Sequence, residues 1–295
     1  MKLKFLIPLI AACLILILVI CLWFYKSYLR RQIQEVEITL PPAQTVPEKL
    51  PEKLPQNPFA TEREVSREKR QYFYKVKYLG VSAGDAEVTV DPKKDKNEIV
   101  ISANTKTSWA ISSVYTLEAE LVTRMDAKSF LPLISTLSLV DTFSKKKRQT
   151  VFNYEDKKIQ YLEKGFRVNK GDYTREESKP FTAPLFDELS AFFLLESAKL
   201  TPNSTMTIPV VSKIRFYNVK LKLGELKDIE LPNIGKFKVL ETTAEITKEA
   251  APVSFGDFKL FISPSHDNIP VMLIGKLETK KLKLGEVTVV LNEIK

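Results

Sequence analysis

One histidine, two cysteines and nine glycines are all that 295 residues contain, and these shortages exclude several kinds of chemistry. Both cysteines, Cys13 and Cys21, lie inside an apolar N-terminal run, so the remainder of the chain has no thiol. Disulfides, zinc-thiolate sites and cysteine nucleophiles are thereby ruled out of it. A lone imidazole, His266, cannot build a multi-histidine metal centre, and neither a metal nor a cofactor is expected. In Ser263-Pro264-Ser265-His266-Asp267-Asn268 the three residue types of a triad are sequence neighbours. Triad members meet in space from separate segments, so His266 reads as a turn residue. Asp187 and Glu188 are adjacent, and adjacent side chains on a helix diverge rather than face each other across a cleft. Gly80-Val81-Ser82-Ala83-Gly84 precedes a strand and matches neither glycine-rich phosphate loop, which leaves a hairpin turn. No catalytic residue is expected, and the chain reads as a non-enzyme.

The formal charge of +9 is dispersed along the sequence, apart from Lys145-Lys146-Lys147-Arg148. That run reads as a solvated hairpin turn. Dispersed charge argues against nucleic acid as a partner and is compatible with anionic lipid head groups. Apolar residues at 44% and charged residues at 27% are those of a folding chain.

From Phe5 to Tyr25 there are 21 uncharged residues, which as a helix span about 31 Å, the thickness of a bilayer's hydrocarbon core. Residues 1–31 are therefore expected to form a single-pass signal anchor with its helix at 5–25, followed by an aromatic exit at Trp23, Tyr25 and Tyr28. Ile10-Ala11-Ala12-Cys13 keeps open the alternative of lipoprotein processing at Cys13, although the apolar run continues past it. Lys2 and Lys4 nearly balance Lys26, Arg30 and Arg31, so flanking charge does not set the orientation. The short N-terminal tail and long C-terminal part place the C-terminus outside the cytoplasm.

Residues 32–70 carry six prolines, including Pro47-Glu-Lys-Leu-Pro51-Glu-Lys-Leu-Pro55. Prolines at this spacing block helix and ladder hydrogen bonds, so a spacer that forms no core is expected. Residues 71–295 then alternate with a period of two. Tyr74, Val76 and Tyr78 alternate with lysines, as do Val219, Leu221 and Leu223. Such alternation indicates antiparallel sheet with one wet face, and roughly ten to thirteen strands are expected. One segment, Thr182 to Leu200, has helical spacing in Leu185, Leu189, Phe192 and Phe193, with Thr182 as its cap and Pro184 in its first turn. The fold class expected is mainly β: a curved antiparallel sheet, half-barrel or open barrel, wrapped against one apolar helix. If the sheet curls without closing, some of its aromatics line a cavity. The ligand-lining candidates are Tyr74, Val76, Tyr78, Trp109, Tyr115, Phe192, Phe193 and Phe216.

Three segments carry a resemblance: Tyr74-Lys75-Val76-Lys77-Tyr78-Leu79-Gly80-Val81-Ser82-Ala83-Gly84-Asp85-Ala86, Phe186-Asp187-Glu188-Leu189-Ser190-Ala191-Phe192-Phe193, and Leu260-Phe261-Ile262-Ser263 with Asp267-Asn268-Ile269-Pro270-Val271. Together they resemble the bacterial envelope family known as domain of unknown function 3108 (DUF3108). That resemblance implies an extracytoplasmic β-rich domain and supplies no active site. The plan is more distantly similar to the lipoprotein carriers LolA and LolB, whose half-barrels hold acyl chains. A protein of the bacterial inner membrane is therefore expected, with its C-terminal domain in the periplasm, binding a lipid or other apolar ligand. The alternative is an envelope scaffold that works through protein contacts.

Overall fold

The computed structural model describes residues 33, 35–40, 54–55, 57–59, 68–182, 184–248, 251–252, 258–265, 268–278 and 283–295. The expected span at 5–25, the Cys13 alternative and His266 lie outside these. Among the described residues, no helix is long and apolar enough to cross a membrane.

Eight strands come first: β1 (Arg70–Tyr78), β2 (Val81–Lys93), β3 (Glu98–Thr107), β4 (Leu117–Asp126), β5 (Pro132–Asp141), β6 (Ser144–Asn153), β7 (Lys158–Arg167) and β8 (Gly171–Pro180). A four-residue helix α1 (Trp109–Ser112) joins β3 to β4, and α2 (Glu188–Ser197) follows β8. The chain returns through β9 (Thr205–Ser212), β10 (Arg215–Leu231), β11 (Gly235–Lys248), β12 (Ala251–Pro252), β13 (Phe258–Ser263), β14 (Ile269–Glu278) and β15 (Lys283–Ile294).

Among the described residues all fifteen strands form one sheet, in the order β8-β7-β6-β5-β4-β3-β2-β1-β15-β14-β13-β11-β10-β9, with β12 paired to β11. That exceeds the expected count of ten to thirteen. The first and last strands pair antiparallel, from Tyr72 opposite Ile294 to Tyr78 opposite Val287. Among the described residues the strands thus make an up-and-down open ring, with β8 and β9 as its unpaired edges.

Flat, the nine steps from β4 to β9 would cover about 43 Å at the usual strand spacing. Helix α2, about 10 Å across, touches β3, β4, β9 and β14 together. The sheet is therefore curled around it. Leu189 and Phe193 of α2 enter one buried cluster with Tyr72, Met125, Phe130 and Val239. Leu194 and Leu195 enter a second with Phe152, Tyr161, Phe186 and Ile208. The expected apolar helix inside a curved sheet is present.

Its N-terminus is five residues later than the sequence suggested. Asp187 is the cap, and its carboxylate and Ser190 form a reciprocal capping box. Phe186 instead forms a parallel bridge to Val210: the Phe186 N–H donates to the Pro209 carbonyl at 3.0 Å, and the Val211 N–H donates to the Phe186 carbonyl at 2.7 Å. A backbone bridge to β9 has competed successfully with helix propensity here, because the sheet edge offers unpaired groups.

Lys145-Lys146-Lys147-Arg148 is not a turn but part of β6, paired with Leu137 to Val140 of β5. Alternation sends Lys145 and Lys147 to one face and Lys146 and Arg148 to the other. Arg148 is buried inside the ring.

The segment read as a free spacer touches the domain at both ends. Ile33 and Ile38 are buried, and Lys145 Nζ donates to the Val36 carbonyl at 2.6 Å. Further along, Leu54 and Phe59 pack on the second cluster, and Asn57 Nδ2 donates to the Ser129 carbonyl at 2.9 Å. Prolines exclude ladder pairing, but they do not prevent isolated apolar side chains from docking on a sheet.

Candidate functional site

Where the inner wall is made of small and aliphatic side chains, α2 does not fill the ring. A cavity of about 580 Å³ remains between the helix and eight strands, inside the range of roughly 300–1,000 Å³ usual for small-molecule sites. Its helical wall is Glu188, Ala191, Phe192 and Leu195, whose spacing of three and four places them on one face of α2. The sheet contributes one face of each hairpin. Ile208 of β9 pairs with Val219 of β10, which in turn pairs with Ile246 of β11, and all three line the cavity. Val210, Leu221 and Ala244, Phe258 and Leu260, Pro270, Met272 and Leu273, Val289, Val88 and Ala86 add to the wall. Gly275 permits this arrangement: a Cβ there would lie 2.7 Å from the Phe258 ring.

Two side chains give the cavity its polar points. The Tyr74 hydroxyl donates to the Pro270 carbonyl at 3.0 Å, and burial raises its pKa well above that of a free phenol. Among the described lining residues Glu188 is the carboxylate. It accepts from Ser212 Oγ at 2.7 Å and lies 3.4 Å from Arg148 Nη2. Arg148 Nε is buried without a hydrogen-bond partner among the described residues. Behind this pair, burial lowers the pKa of Lys146, with the nearby Glu163 carboxylate opposing the shift. Glu163 also accepts from Tyr161 at 3.0 Å and Tyr173 at 3.1 Å.

Asp187 faces elsewhere, as expected of a neighbour on a helix. Its carboxylate accepts from Ser190 N at 2.8 Å and from the Thr123 hydroxyl of β4, which fixes the helix start to the wall. Burial, then the Glu188 charge, raises its pKa, against the opposing effect of the Ser190 and Thr123 donors. The carboxylates are thus held in separate hydrogen-bond networks, and their geometry does not form a facing acid-base pair.

Of the eight residues expected to line a cavity, Tyr74 and Phe192 do so. Phe193 is fully buried and meets Phe130 edge to face at 5.5 Å, because the helix turns it toward β4. Phe216 packs half-buried on the second cluster, and Val76 is half-buried on β1. Tyr78, Trp109 and Tyr115 are exposed at one end of the ring, since the β3–β4 connection carries the last two outward. Aromatic content drew attention away from the aliphatic residues that make most of the wall, although the alternation of Val219 and Leu221 with lysines already marked their inward face.

A second hollow, of about 680 Å³, lies against outward residues of β1 to β5 and includes Lys75, Asp85, Lys106 and Glu118. Those charges pair across the strands, Lys75 with Asp85 at 2.5 Å and Lys106 with Glu118 at 2.7 Å. It is a solvated outer face.

Comparison with known proteins agrees with this architecture. A family model described as "Protein of unknown function (DUF3108)" matches residues 74–291. No curated protein matches. Among solved structures the chain is similar to a β-barrel-like protein of domain of unknown function DUF1849 from Brucella abortus. The TM-score is 0.51 at 9% identity, covering 78% of this chain and 98% of that one. At that identity the likeness shows the fold alone.

Proposed function

The chain belongs to the DUF3108 family of proteins of unknown function, and from that premise we propose that it is a membrane-anchored envelope protein that binds a lipid or another apolar ligand without chemical turnover. The observation that carries the reading is the aliphatic cavity beside α2, whose polar points are the Tyr74 hydroxyl and the Glu188 carboxylate, the latter bonded to Arg148 and Ser212. Apolar chain in the cavity would be removed from water at about 25 cal/mol per Å². A polar head would lie toward Tyr74 or Glu188, the polar side chains of the wall. The uncharged run 5–25 supports the anchor, and the family resemblance supports the inner membrane and periplasm as its location.

Mass spectrometry of lipid extracted from the purified full-length chain tests the reading. Stoichiometric lipid that resists detergent exchange is the expected result. An empty cavity, together with one dominant protein adduct after crosslinking in cells, would favour the scaffold instead.

A further inference from the structure

At the end of the sheet where β1 stops and β2 begins, five described connections stand together: 79–80, 108–116, 142–143, 168–170 and 213–214. None contains an aspartate or glutamate. The first three hold apolar side chains in water: Leu79 is 62% exposed, Trp109 88%, Val114 78% and Phe143 54%. The other two carry Lys170 and Lys213, flanked by Arg167 and Arg215, while Asp172 and Asp141 are the acidic residues next to these connections. The opposite end differs, with Asp95, Glu155 and Asp156 in its turns.

Leu79 is held there against its own preference. Leu79-Gly80 is a two-residue hairpin with φ of 49° and 81°, a turn that asparagine or glycine enters at far lower steric cost. Gly285 leaves it room, since a Cβ at that position would come within 2.7 Å of Leu79 Cδ2.

We propose that this rim docks on a phospholipid bilayer bearing anionic head groups. The tryptophan, phenylalanine and aliphatic tips enter the interfacial layer, where such rings partition. The lysines and arginines beside them meet the head groups. Chain connectivity points to the same partner. Ile33 shares a small cavity with Trp109, Ser112 and Thr116, so the chain leaves the domain at this rim. Tyr25, which ends the uncharged run, is eight residues earlier. That is a reach of about 28 Å fully extended or about 12 Å as helix. An anchor at 5–25 therefore holds the rim beside the membrane. The cavity extends toward the same end, to Ile246 near the end of β11 and Phe258 at the start of β13.

The docking surface stands apart from the ligand reading, and its test uses a different signal. With Trp23→Phe, Trp109 is the remaining tryptophan of the full-length chain. That variant is reconstituted in vesicles of phosphatidylglycerol and acyl-brominated phosphatidylcholine. The expected result is emission at shorter wavelength than a water-exposed indole, with loss of intensity to bromine. Adding Lys170→Glu and Lys213→Glu should relieve that quenching; unchanged quenching would overturn the anionic assignment. Water-like, unquenched emission would overturn the docking itself. So would a blue shift without quenching that grows with protein density, which would mean rim-to-rim pairing of two copies. Uptake of a fluorescent fatty acid reads the cavity and not the rim, so the two proposals fail separately.

Discussion

Asp187 ties α2 to the sheet through a cap on Ser190 and a buried bond from Thr123. Asp187→Ala removes the cap and leaves the Thr123 hydroxyl buried without that acceptor, a loss of about 2–4 kcal/mol. Asparagine keeps the cap acceptor for Ser190 and turns an amide donor toward the Thr123 hydroxyl oxygen, so it should cost less than alanine in chemical denaturation. The charge has its own signature. Because burial raises the Asp187 pKa above the usual aspartate range, the linked stability is complete below the ordinary value and is lost as pH climbs through the raised one. Thermal midpoints of the full-length chain in detergent should therefore lose this contribution as pH rises above the ordinary aspartate value, and Asp187→Asn should remove that part of the pH dependence. Gly84 offers a steric test at the same scale. A Cβ there would lie 2.5 Å from the Lys106 carbonyl oxygen, a backbone atom that the β2–β3 ladder holds in place. Gly84→Ala should destabilise by about 1–3 kcal/mol.

At the scale of elements, the helix is where sequence and structure part most instructively. Leu189, Phe192 and Phe193 announced it correctly, since apolar spacing of three and four survives any tertiary setting. Its beginning was hidden, because Thr182-Ala-Pro184 has the look of a capped first turn while the true cap is Asp187, with Ser190 three residues on. Only the edge of β9 explains why Phe186 bridges to Val210 instead of joining the helix, and a sheet edge is not visible in one segment's composition. Lys145 to Arg148 misled for a related reason: local charge suggests solvent, but the strand alternates, and Glu188 supplies Arg148 with a partner from 40 residues away. Phe193→Ala on α2 should cost about 3–5 kcal/mol, measured by denaturant unfolding, because the ring is wholly buried against Phe130.

For the whole molecule, antiparallel sheet wrapped on one helix was legible from two-residue alternation, whereas the pairing of β1 with β15 that joins the two halves of the sheet was not. That pairing joins residues more than two hundred positions apart and leaves no local trace. The cavity was legible only as a possibility of the fold. Its wall is set by which small side chains, Ala86, Ala191 and Ala244, happen to face one another across the ring. The docking of Ile33, Ile38, Leu54, Asn57 and Phe59 on the domain was equally hidden, because proline content predicts extended chain without saying what the chain lies against.

Ala191 sits at the centre of the helical wall, so filling it gives the most direct measurement: titration of a fluorescent fatty-acid probe into the full-length protein and its Ala191→Trp variant, with circular dichroism to confirm that both are folded. Saturable binding to the parent, weakened about tenfold or more in the variant as the indole occupies the space an acyl chain would take, is the predicted result. Equal affinity in the two, or no saturable binding to either, would contradict an apolar ligand held beside α2.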